Sequence, residues 1–129
     1  MHNNRLKIFL ITIYCSGIMG CNAGSSSSNS SYSIDGPYTD NINNASTCQF
    51  SNSVTTCNIA LSYQASPAAS LGTSGISSPY SITANSCTAS TTSANCVVTV
   101  TYTPQINASS QTLSLTVGSL TATVPLSNN

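Results

Sequence analysis

From Cys48 onward, apolar side chains fall at alternate positions: Ile59, Leu61 and Tyr63; Val98, Val100 and Tyr102; Leu113, Leu115 and Val117; then Leu120, Ala122, Val124 and Leu126. A period of two over short runs predicts strands with one buried and one solvated face, and Ser, Thr and Asn fill most of the intervening positions. No stretch outside the first twenty residues has helical spacing. Gly118-Ser119 separates the last two runs and suits a two-residue hairpin turn. Such a loop sets Val117 opposite Leu120, Leu115 opposite Ala122 and Leu113 opposite Val124, so inward residues meet inward residues. Pro125 predicts an edge position or a strand end for the final run, and that edge is the first place where a partner is expected to add a strand.

The first residues follow a different pattern. Met1 to Lys7 are short and positive, Ile8 to Tyr14 are apolar apart from Thr12, and the run ends near Gly20 after about 13 residues, short of the ~20 needed to span a bilayer. This is the grammar of an export signal. Its end, Ile18-Met19-Gly20-Cys21, resembles the bacterial lipobox, with Met19 as the imperfect position. The resemblance implies cleavage before Cys21 and a lipid joined to its thiol. Two or three chains then anchor firmly, because each buried methylene contributes ~0.8 kcal/mol. The alternative is an ordinary signal cut after Ala23. Cys15 follows bulky Tyr14 and does not fit the lipid site.

Residues 21–46 are expected to be a lipid-anchored flexible linker, since the Ser-rich stretch 22–33 has few apolar groups to offset the entropy of ordering. Twelve such residues reach on the order of 20 Å. Asp35 and Asp40, the acids of the chain, bracket Gly36-Pro37 in what reads as a turn. Two lone aspartates are too few for a calcium site, and no metal or other cofactor is expected.

Cys48, Cys57, Cys87 and Cys96 form two pairs, each with eight residues between. Each pair precedes the same phrase, Cys57-Asn-Ile-Ala-Leu-Ser-Tyr63 and Cys96-Val-Val-Thr-Val-Thr-Tyr102, at an offset of 39 residues. The repetition predicts a duplicated hairpin or two strands with equivalent roles in a sandwich. Export makes disulfides the default, and of the three connectivities the local one, Cys48–Cys57 with Cys87–Cys96, is favoured. Each would close a loop of about ten residues and contribute roughly 2.5 kcal/mol. Zinc ligands usually sit two to four residues apart, and free thiolates would not survive export.

The stretch from Asn85 to Pro104, followed by Leu113 to Leu126, resembles the second half of a hydin-type or choice-of-anchor Ig-like domain: a cysteine, a polar loop, a second cysteine, an alternating strand ending in an aromatic and Pro, then a closing hairpin. The loop before Cys96 lacks the glycine common there. The resemblance implies an immunoglobulin-like antiparallel β-sandwich over 47–129, behind a signal peptide (1–20) and linker, serving as a binding or spacing module.

Charge decides which functions are open. His2, Arg5 and Lys7 are the basic residues of the chain, and charged residues are 3% of it. Nucleic acid is excluded as a partner, because phosphates require several Lys or Arg. Past Cys21 there is no His, Lys, Arg or Glu, which removes most acid–base and nucleophilic chemistry and predicts a protein that is not an enzyme. The remaining expectations are a module held on the bilayer by acylated Cys21 and docking an envelope protein, or a surface-displayed adhesion module meeting glycans through Tyr32, Tyr38 or Tyr80. Asn22 is not the aspartate of inner-membrane retention, which favours the outer membrane. Tyr63 and Tyr102, in phase with aliphatic neighbours, are expected to pack in the core. The sequons at Asn29, Asn44 and Asn107 are read as accidental.

Overall fold

The computed structural model describes residues 29–40 and 46–129. They form eight strands: β1 Ser31–Thr39, β2 Cys48–Phe50, β3 Thr56–Ala69, β4 Gly72–Ser74, β5 Tyr80–Asn85, β6 Thr91–Tyr102, β7 Gln111–Val117 and β8 Leu120–Asn128. Sheet A has the order β1-β3-β6-β5 and sheet B the order β2-β8-β7-β4. All pairings are antiparallel except that of β2 with β8, which is parallel. The expected all-β sandwich is thus present, with one parallel pair in it.

The alternating positions build the core. Ile59, Val98, Val100, Leu113, Leu115, Val117, Val124 and Leu126 are all fully buried, while Ala60, Gln64, Ser93 and Asn95 on the opposite face of sheet A are exposed. Tyr102 packs with Phe50 and Tyr80 at one end of the sandwich, ring centroids 5.3 to 5.5 Å apart. Tyr63 is buried nearer the other end, and its hydroxyl donates to the Ala69 carbonyl at 2.8 Å. Both tyrosines therefore take the core role expected of them.

The closing hairpin has the expected register, Val117 with Leu120, Leu115 with Ala122 and Leu113 with Val124. Its tip differs: Leu120 is 37% exposed and Ala122 only half-buried, so inward phase does not bring full burial there. Gly118 adopts φ +58°, and Tyr32 of β1 lies against it so closely that a Cβ would overlap the ring.

Three expectations are corrected or narrowed. In the strand order β8 is interior, flanked by β7 and β2, but only Leu126–Asn128 pair with β2, so the expected edge position holds locally at Pro125 and not for the whole strand. Pro125 is tolerated because the β2 ladder begins one residue later, at Leu126 with Cys48. The edges are β1 and β5 in sheet A, and β2 and β4 in sheet B. Second, the expected linker over 21–46 contains a strand. Tyr32 and Ile34 of β1 point inward opposite Ala65 and Tyr63, so even this Ser-rich segment gains a ladder and some apolar cover. Third, Asp35-Gly36-Pro37 is an irregularity inside β1, with the register shifting between Asp35 and Tyr38, rather than the expected turn. Gly36 has φ +107°, and a Cβ there would come within 3.0 Å of the Ala60 carbonyl oxygen, so glycine is needed for this bulge.

Candidate ligand-binding face

The four cysteines of the sandwich pair as favoured, Cys48–Cys57 and Cys87–Cys96, with Cα–Cα separations of 5.9 and 5.5 Å. The first bond ties β2 of sheet B to β3 of sheet A. The second joins the loop after β5 to β6 within one side of the sandwich. All four are buried and serve as cross-links rather than as a reactive centre. Cys21 lies outside the described residues.

The outer face of sheet A carries a run of polar side chains, and both aspartates of the chain, Asp35 and Asp40, lie along it. Directly paired residues share a face, so the register of β1, β3 and β6 sets out rows across it. Ser33, Gln64 and Ser93 form one row; Asp35, Ser62 and Asn95 form the next. Rows are spaced about 6.7 Å along the strands and strands about 4.8 Å apart, so these six polar side chains occupy a compact patch. They line a cleft of about 540 Å³.

Beyond the bulge the same face changes character. Tyr38, Ala60 and Val97 make an apolar row in which Tyr38 is 52% and Val97 45% exposed. Then polarity returns, with Asn58 beside Thr99 and Asp40 at the edge. The Asp35 carboxylate accepts the Tyr38 hydroxyl at 2.7 Å. That hydrogen bond, and next the carboxylate's charge, raise the Tyr38 pKa above its ordinary 10.0. Asp40 is otherwise engaged: its two oxygens accept the backbone N–H and the side-chain amide of Asn58, each at 2.8 Å, and Asn58 in turn accepts the Thr99 hydroxyl at 2.8 Å. Asp40 thus fastens the end of β1 to β3, while Asp35 stands at the cleft. The two carboxylates serve separate networks, and among the described residues no three His, Cys, Asp or Glu side chains gather as metal ligands.

Of the three tyrosines expected to be exposed, only Tyr38 is prominently so. Tyr32 is half-buried over Gly118, and Tyr80 is 2% exposed inside the aromatic cluster, where desolvation and then the neighbouring Tyr102 raise its pKa. Asn107 occupies a turn at φ 62°. Ser62, Gln64 and Asn95 were not singled out by sequence. Their signal is only that they occupy outward positions of alternating strands, as many other polar residues do.

No protein-family model matches the chain, and no curated protein matches it. Among solved structures it is similar to domains 4 and 5 of the S-layer protein SbsC, at 10% identity and a TM-score of 0.50, covering 76% of this chain. The match takes in 53% of that structure, so this chain spans about half its length. At this identity the likeness is one of fold: a two-sheet β-sandwich similar in architecture to part of an S-layer protein.

Proposed function

We propose that this chain is a non-catalytic module of the bacterial cell envelope, held on a membrane by lipid on Cys21 and presenting the β-sandwich to neighbouring envelope components. The observation that carries this reading is the lipobox-like Ile18-Met19-Gly20-Cys21 at the end of the export-signal pattern, with β1 starting at Ser31, ten positions after Cys21. Fully extended, ten residues span at most about 35 Å, so an anchored Cys21 keeps the sandwich close to its membrane. Support comes also from the two disulfides, which suit an oxidising compartment, and from the fold shared with part of an S-layer protein. The absence of His, Lys, Arg and Glu past Cys21 argues against catalysis.

Mass spectrometry of the mature N-terminus tests the anchor. Acylated Cys21 is expected; a chain beginning at unmodified Asn22 or Gly24 would make it a secreted protein without lipid. The outer membrane is the favoured location, from Asn22. A second reading, surface display with recognition of glycans, is favoured by the polar cleft on sheet A. Protease treatment of intact cells separates the two: loss of the sandwich means outward display, and protection means a periplasmic module.

A further inference from the structure

We propose that the cleft on the outer face of sheet A is a binding site for an uncharged sugar, with Asp35, Ser62, Gln64 and Asn95 taking its hydroxyls and the Tyr38–Ala60–Val97 row, which lies beside the cleft and outside its lining, taking the apolar face of a ring. The proposal deepens the glycan reading above, and it is independent of the lipid on Cys21.

Three observations carry it. The first is the donor and acceptor inventory. Adjacent hydroxyls on a sugar each donate and accept, and they are matched by groups that do both: the amides of Gln64 and Asn95 and the hydroxyls of Ser33, Ser62 and Ser93. Asp35 adds an acceptor that can take hydroxyl protons, and only one of its oxygens is engaged by Tyr38. Second, the face is amphipathic on the scale of one or two rings. The polar row Asp35–Ser62–Asn95 borders an apolar row whose Tyr38 ring is held in place by its bond to Asp35. A pyranose has the same division, with polar edges and a C–H face. Third, the charge is complementary to a neutral ligand. The described residues contain no Lys, Arg or His, so a phosphate, sulfate or uronate would meet the Asp35 charge with no cation to offset it.

The test is amide-resolved NMR on the purified, isotope-labelled chain, titrated with methyl β-D-glucopyranoside, methyl α-D-mannopyranoside, methyl β-D-galactopyranoside and N,N′-diacetylchitobiose, with glucuronate and inorganic phosphate as charged controls. At least one neutral sugar should shift the amides of Ser62, Gln64 and Asn95 while leaving Leu113 and Leu115 of sheet B in place. Gln64→Ala should weaken that binding roughly 3- to 10-fold, and Asp35→Ala by about 10-fold or more, since its hydrogen bonds are charge-assisted. Both positions are exposed, and unchanged core resonances verify that the variants fold. The idea is overturned if no neutral sugar in the panel moves these amides, if the charged controls move them equally, or if the shifts survive both substitutions. Any of these outcomes leaves the lipid assignment at Cys21 untouched, because that is read by mass alone.

Discussion

Ile59 pairs with Val98 across the middle of sheet A, and the two are 39 positions apart in sequence, the same interval that separates Cys57 from Cys96 and Tyr63 from Tyr102. Cys57 lies opposite Val100, and Leu61 opposite Cys96. An approximate two-fold axis therefore passes between Ile59 and Val98 and exchanges β3 with β6. The repeated phrase lies on a pair of neighbouring antiparallel strands, and each copy begins at a disulfide-bonded cysteine and ends at a buried tyrosine.

Both side chains at the axis are 0% exposed. Ile59→Ala should cost about 2–5 kcal/mol of unfolding free energy, and Val98→Ala a smaller amount. Because the residues face one another, the double variant should depart from additivity by about 0.5–3 kcal/mol in urea unfolding. Strict additivity would show that the two do not share one packing site.

Each disulfide is expected to contribute roughly 2.5 kcal/mol through the loop it closes. Replacing Cys48 and Cys57 together by Ser should be the more damaging exchange, since that bond ties β2 to β3 across the two sheets. The same exchange at Cys87 and Cys96 loosens a connection beside β5 and β6. Thermal unfolding of the two double variants reads the order directly, and a reversed order would refute the cross-sheet argument.

At the hairpin tip, Gly118→Ala meets two penalties, a positive φ and the Tyr32 ring. A loss of about 1–3 kcal/mol is expected. In a Tyr32→Ala background the same substitution should cost less, because the ring is gone while the backbone strain stays. Equal costs in both backgrounds would mean that Tyr32 moves aside freely.

Tyrosine ionisation should dominate the alkaline behaviour. Tyr80 has its pKa raised in the folded state by burial, so its contribution to stability is complete below the unfolded value of 10.0 and declines as pH rises past it towards the folded value. Tyr80→Phe should flatten that decline in a series of unfolding curves. Separately, Asp35→Asn should lower the Tyr38 pKa in an absorbance titration, since the carboxylate's hydrogen bond and charge both hold the phenol protonated.

Much of the sandwich was legible along the chain because its rules are local. Period-two alternation needs only the two faces of a strand, and it located β3, β6, β7 and β8; Gly118-Ser119 carried its own turn chemistry, which set the hairpin register. Strand β1 was hidden because Tyr32 and Ile34 are too few to stand out among serines, and their burial exists only once β3 is beside them. The strands β4 and β5 were equally quiet: three residues, and a six-residue run with only Tyr80 and Ile82 packed inward.

The sequence by itself determined the all-β class, the alternation of buried and wet faces, the near-absence of charge and the spacing that favours two local disulfides. Those properties follow from residue type and nearest-neighbour geometry. Only the tertiary structure decided that β8 is interior, that Tyr80 is buried while Tyr38 is not, and that Asp35, Ser62 and Asn95 form one row. The reason is that strand order and register bring together residues up to sixty positions apart, and no local rule states which strands will be neighbours.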